Sequence, residues 1–288
     1  MIISASYRTD IPAFYGDWFM RRLDAGECRA VNPWNRKPYT VSLKREDVDG
    51  FVLWTRNLAP FAGHLPAIAE SAPFYVQYTV TGYPHALDRS VVVTERAITD
   101  MRNTARMFGP FSVVWRYDPI VVTTLTPISW HLDNFRHIAE QLQHSTNEVT
   151  ISFMYSYRKT WKNIGAAAQQ FCFEWREPDQ EESLDLVATL TSIAGEHGMR
   201  LTVCSQAMFV VGGAEPAACI DAARLSNLSG QVLSAPVTGN RPDYLCHASR
   251  DIGAYDTCPH GCAYCYAVSG SDTAKANYAV HNPASDLI

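Results

Sequence analysis

Between residues 2 and 204, six short apolar runs alternate with stretches of helical period. This alternation restricts the possible folds more than any other feature. The runs lie at 2–6, 51–55, 74–81, 111–116, 149–155 and 200–204, and are rich in β-branched and aromatic residues, as buried strands are. Apolar periodicity predicts helices at 14–23, 60–70, 94–107, 127–144, 158–170 and 183–197. Thr94 reads as an N-cap, Gly198 as a C-terminal stop, and 31–43 as loop or short edge structure. Such a series buries its strands as a parallel sheet joined by right-handed crossovers. The expected fold is α/β: a partial or open (β/α) barrel of about six parallel strands, TIM-barrel-like, formed by residues 1–204. A doubly wound sheet is the other arrangement compatible with the pattern. No glycine-rich phosphate loop follows the first run, and Gly212-Gly213 lacks the dinucleotide pattern, which argues against a Rossmann cofactor site.

After Cys204 the character changes. A helix is expected at 216–225, polar loop at 226–242, and a short helix at about 272–281. This stretch has too few apolar residues to stand alone, so 205–288 reads as an extension packed on the barrel. Within it lies Cys258-Pro259-His260-Gly261-Cys262-Ala263-Tyr264-Cys265, three cysteines at CxxxCxxC spacing. Three thiolates so placed can each reach a different iron of a cubane and leave the fourth iron open. A small zinc site, using the last two cysteines with Cys258 or His260, is one alternative, and chance clustering of eight cysteines in 288 residues is another. Disulfides suit the short spacings poorly. Pro259 and Gly261 favour a tight loop, and Tyr264 either faces a cofactor or simply packs.

Compartment decides how the eight cysteines are read. The N-terminus lacks the basic start, apolar core and cleavage site of a signal peptide, and no apolar run is long enough to span a membrane. A cytoplasmic location is therefore expected, where cysteines are metal ligands or buried thiols rather than disulfides. A net charge of −5 and a pI near 6.0 leave no basic footprint for nucleic acid.

Cys258, Cys262 and Cys265, with Tyr264 before the last, match residue for residue the cluster motif of radical S-adenosylmethionine (SAM) enzymes. The resemblance implies a 4Fe-4S cluster, SAM at its open iron, a small-molecule substrate, and a reductant protein such as flavodoxin or ferredoxin. Two features depart from that pattern. The usual motif follows the first strand near the N-terminus, whereas here it closes the chain. No Gly-Gly-Glu segment follows the second strand, where Trp54-Thr55-Arg56-Asn57 stands instead. Either the fold is permuted, with 251–255 as an edge or first strand, or the C-terminal loop reaches back over the barrel. The whole chain also resembles the family of the domain of unknown function numbered 1848. The likeness rests on Ile2-Ile3-Ser4-Ala5-Ser6 with Arg8-Thr9-Asp10-Ile11-Pro12, on Trp54-Thr55 with Asn57, on Trp115-Arg116-Tyr117-Asp118-Pro119, and on Ser249-Arg250-Asp251-Ile252-Gly253-Ala254-Tyr255.

In α/β barrels reactive residues gather at the carboxyl ends of strands. Those ends carry Arg8 and Asp10, Trp54 and Asn57, and Arg116 and Asp118. Arg116 and Asp118 follow a wholly apolar run. They form either an ion pair that pins strand ends, or an arginine for a carboxylate and an acid for ribose hydroxyls. Arg8, Asp10, Arg116 and Asp118 are thus the candidate catalytic residues, with Tyr264, Trp54, Asn57 and Arg250 as candidate cofactor contacts. The substrate cavity is expected between the cysteine loop and the strand ends carrying Arg8, Trp54, Arg116 and Asp118. Cys204, Cys219 (expected in a helix) and Cys246 form a looser set, read as ligands of a second, auxiliary cluster or as inert buried thiols. Cys28 and Cys172 read as structural, on helices or loops. The functional expectation is a radical-SAM-like iron–sulfur enzyme. Its rivals are a non-catalytic iron–sulfur redox or sensor protein and a zinc-stabilised hydrolase.

Overall fold

A computed structural model describes residues 1–238 and 245–288. Six strands occupy the six apolar runs: β1 (Ile2–Ala5), β2 (Gly50–Thr55), β3 (Phe74–Thr79), β4 (Val113–Ile120), β5 (Glu148–Phe153) and β6 (Arg200–Val203). Two more, β7 (Glu215–Pro216) and β8 (Ser249–Asp251), complete a sheet of eight. The spatial order is β7-β6-β5-β4-β3-β2-β1-β8, and every pairing is parallel. The class is therefore α/β with a large parallel sheet. The sheet does not close into a barrel, because β7 and β8 are its two edges and do not pair with each other. Residues 205–288 supply both edges.

The helices are α1 (Ile11–Phe14), α2 (Gly16–Ala25), α3 (Leu65–Ser71), α4 (Thr94–Phe108), α5 (Ile128–Leu142), α6 (Arg158–Phe171), α7 (Gln180–Glu196), α8 (Ala222–Ser229) and α9 (Ser271–Ala279). Thr94 is the first residue of α4, not its cap. Val93 holds the cap position in extended conformation and makes no side-chain capping bond. The stretch expected as loop or edge at 31–43 belongs to an antiparallel hairpin pairing Glu27–Val31 with Pro38–Ser42. Of the loop expected at 226–242, residues up to Ser229 lie in α8, and 239–242 lie outside the described residues. Among the described residues, no helix is long and apolar enough to cross a membrane.

Strand side chains alternate between two faces. One face carries Leu53, Val76, Trp115, Ile151 and Leu201 into the main core, against Phe19 of α2, Ile68 of α3, Met101 of α4, Phe135 of α5 and Leu190 of α7. On the other face Ile2, Val52, Tyr75 and Val114 rest on Ala217, Ile220 and Leu225. Toward the carboxyl ends this second face turns polar, with Ser4, Gln77, Arg116, Thr150, Ser152 and Thr202 all buried. At the amino ends, Glu148 and Arg224, each nearly fully buried, pair at 2.6 Å.

His131 of α5 is fully buried in the main layer. Its Nε2 faces the Val121 carbonyl at 3.1 Å, so that nitrogen carries the proton, and Nδ1 accepts from the Tyr117 hydroxyl at 2.9 Å. Burial lowers its pKa to about 4. The unfolded chain, with a histidine near 6.5, binds more protons between those values, so stability is full above pH 6.5 and falls as pH drops toward 4. The expected loss is about 3 kcal/mol across that window. Urea unfolding at pH 7 and pH 4 checks it, with His131→Gln expected to show a correspondingly shallower pH dependence.

Candidate functional site

β8 runs into the cysteine loop, and the loop is fixed over the carboxyl ends of β1, β2 and β3. Asp10, just beyond β1, holds it first. Its Oδ2 meets His260 Nε2 at 2.7 Å and accepts the Arg56 backbone N–H at 2.7 Å, while Oδ1 caps α1 through Ala13 N–H. The Tyr15 hydroxyl donates to the Thr257 carbonyl at 2.7 Å. On the other side the loop pairs with the segment after β3: Asp88 bridges to Cys262, Ala263 N–H donates to Leu87, and Ser90 N–H donates to His260. Gly261, at φ +71°, makes the left-handed turn between Cys258 and Cys262 that a side chain would strain.

Arg56, directly after β2, is the hub of this contact. Its guanidinium donates to Asp88 Oδ2 at 2.7 Å, to Thr81 Oγ1 at 2.6 Å, to Cys262 Sγ at 3.2 Å and to the Tyr264 hydroxyl. Tyr264 donates in turn to Asp88 Oδ1 at 2.7 Å, and its ring meets Tyr83 edge-on. Burial opposes the Arg56 charge, yet Asp88, Tyr264 and Cys262 hold its pKa well above the ordinary value. Burial pushes the Cys258 thiol up to about 12, with Asp10 and Cys265 adding to the effect. Burial also raises the Cys262 thiol well above its ordinary value, which Arg56 partly offsets. Among the described residues, no group of three or more His, Cys, Asp or Glu side chains stands as a ready metal site.

Of the remaining candidates, Arg8, Trp54, Arg116 and Asp118 gather toward the polar face. Arg8 and Asp251, both buried, pair at 2.8 Å. Asp251 also accepts from Ser4 and Ser6 hydroxyls and from the Tyr7 and Gly253 amides. Arg250, its neighbour, is exposed, because alternate residues of β8 face opposite ways. Trp54 Nε1 donates to Ser4 Oγ at 3.1 Å, and the Arg116 guanidinium lies 5.1 Å from the Trp54 ring centre. Arg116 pairs with Asp118 and also donates to Gln77 Oε1 and to Cys219 Sγ, both at 3.2 Å. Asn57 accepts from the Ala59 amide in a local turn. Cys219 lies before α8 rather than in a helix, and its sulfur sits 3.3 Å from that of Cys204. Cys28 is buried in the hairpin, while exposed Cys172 ends α6 in left-handed conformation.

A cleft of about 370 Å³ opens beside this assembly, lined by Arg56, Thr81, Tyr83, His85, Asp88 and Arg89 among others. Arg8, Trp54, Arg116 and Asp118 do not line it. Asp88 was invisible to sequence reasoning: it lies in a loop with neither strand nor helix pattern, and only its contacts with Arg56, Thr81 and Tyr264 mark it.

A family model, Domain of unknown function (DUF1848), matches residues 2–267. The chain belongs to this family. The matched span of the family includes all eight strands of the sheet, the Arg56–Asp88 contact and the three cysteines of the loop. No curated protein and no solved structure matches the chain.

Proposed function

We propose that this chain is a radical-SAM-like iron–sulfur enzyme acting on a small molecule, with Cys258, Cys262 and Cys265 as ligands of a 4Fe-4S cluster. The observation that carries the reading is where the cysteine loop stands in the sheet. β8 lies beside β1, so the strand–loop–helix unit holding the cysteines comes first in the parallel series, although last in sequence. A permuted series keeps in space the position, after the first strand, that the motif usually holds in sequence. The loop also crosses the carboxyl ends of the strands, the face where α/β proteins build reactive sites.

The residues present suit the cofactor pair. Three sulfurs lie in one tight loop and influence one another electrostatically. Thr9 Oγ1 and Arg56 Nε are buried without a hydrogen-bond partner among the described residues, which leaves donors for a ligand beside the loop. A bound cluster with SAM supplies one-electron reductive cleavage of a carbon–sulfur bond, and hence a radical. The protein's part is to orient and to shield. Arg56 steadies Cys262, Asp10 fixes His260, and Tyr264 walls the loop. Arg116 and Asp118 hold each other in an ion pair at the strand ends, with Arg116 also donating to Gln77 and Cys219, so in this reading they brace the polar face rather than grip a ligand. The cleft beside Arg56 and Asp88 is of a size to hold one small molecule.

Anaerobic reconstitution with iron and sulfide tests the reading. The expected product is brown, holds about four irons per chain by the one-thiolate-per-iron rule, and changes its reduced-cluster electron paramagnetic resonance signal when SAM is added. A colourless protein that takes up zinc instead would sink the proposal. A brown protein indifferent to SAM would leave only the sensor reading.

A further inference from the structure

A second sulfur group lies toward the opposite edge of the sheet. Cys204 follows β6, Cys219 precedes α8, and their sulfurs are 3.3 Å apart. Cys246 packs in the same buried cluster as Cys219, and all three are free thiols. The Arg116 guanidinium donates to Cys219 Sγ at 3.2 Å. The Cys204 and Cys219 sulfurs are hydrogen-bonded directly to each other. We propose that Cys204 and Cys219 are an oxidisable dithiol, a modification site whose oxidant is a low-molecular-weight disulfide. It stands apart from the cluster reading, since neither cysteine belongs to the cysteine loop.

The chemistry is two thiol–disulfide exchanges. Cys204, the more exposed of the pair, attacks one sulfur of the small disulfide through its minor thiolate fraction, because the Cys219 hydrogen bond and burial hold its pKa well above the ordinary thiol value. That sulfur–sulfur bond breaks, a mixed disulfide forms on Cys204, and one small thiolate leaves. Cys219 then attacks Cys204 Sγ, which closes the Cys204–Cys219 bond and expels the second small thiolate. The protein gives up two electrons and two protons, and the small disulfide becomes two thiols. Arg116 assists the second exchange, because a cation beside a sulfur favours the attacking thiolate. Closing the bond also weakens the sulfur as an acceptor for Arg116 and leaves that arginine to Asp118 and Gln77. The state of the dithiol is thereby coupled to a strand-end arginine.

The test uses the full chain, fully reduced and then equilibrated with oxidised glutathione. After unfolding and alkylation, two of the eight cysteines are expected to be protected, with the peptides of Cys204 and Cys219 joined. Cys219→Ser is expected to lose the joined peptides and to leave only Cys204 protected, as its mixed disulfide with glutathione, and Cys246→Ser to keep the joined pair. Should either variant fail to fold, the wild-type peptide map decides alone. Complete alkylation of Cys204 and Cys219 after oxidation overturns the proposal, as does a bond from either to a different cysteine. A reconstituted chain holding about eight irons, with these thiols shielded until the iron is chelated, overturns it in favour of a second cluster.

Discussion

Replacing Cys258, Cys262 or Cys265 by alanine, one at a time, is expected to remove most of the iron that the reconstituted chain holds. Each thiolate supplies one bond to the cluster and alanine supplies none. The loop offers no spare sulfur, because Cys204, Cys219 and Cys246 are packed together elsewhere on the sheet. Folding should survive. A thiol is small, and its removal, which leaves the β-carbon as alanine's methyl, is expected to change stability by only about 1 kcal/mol. The comparison to make is therefore iron and sulfide content against the urea midpoint of the metal-free chain. Iron should fall from about four per chain to less than one, while the midpoint moves little. Cys28→Ala and Cys172→Ala serve as controls and should retain their iron, since one lies in the hairpin and the other at the end of α6. Full iron content in all three loop variants would remove the basis of the proposed function.

The six inner strands were legible because each carries an apolar run that must be buried. The two edge strands were not. β7 is Glu215-Pro216, both exposed, and β8 is Ser249-Arg250-Asp251, without a single apolar residue. Their places come from backbone pairing and, for β8, from polar side chains, neither of which leaves a hydrophobic period. That is why open edges could not be told from a closing barrel. The start of α7 was placed three residues late for a different reason. Asp179 and Glu182 form a capping box, a signal present in the sequence but outside the apolar period that located the helix. In the candidate site, the strand-end rule led to Arg8, Asp10, Trp54 and Arg116, all of which face the polar side or the cysteine loop. Sequence reasoning named Arg250, which is exposed, and passed over buried Asp251, because which face of β8 turns inward depends on its pairing with β1. Nor could it supply Asp88, whose role exists only through its contacts with Arg56, Thr81 and Tyr264.

Asp251→Ala is expected to cost the metal-free fold about 3–5 kcal/mol, the range for breaking a buried ion pair from one side. Arg8 would then remain buried with its charge uncompensated, at 4% exposure. The Ser4 and Ser6 hydroxyls and the Tyr7 and Gly253 amides would also lose their acceptor. The site cannot relax by simple collapse, because Gly253 packs directly on Ser6. β8 pairs with β1 over only three residue positions, so this carboxylate is a large part of what holds the edge strand and the cysteine loop behind it. Iron uptake should fall with stability, even though Asp251 ligates nothing. Asp251→Asn keeps one acceptor oxygen and the shape, so a smaller loss is expected. Removing both ends of the pair, Arg8→Leu with Asp251→Leu, should recover part of the loss of the single Asp251→Leu change, because no charge is then stranded. Urea unfolding of the four metal-free variants beside the parent measures these differences. An Asp251→Ala chain that unfolds at the parent's midpoint would mean that β8 is held by its backbone pairing alone, and the cysteine loop would then need another anchor than this carboxylate.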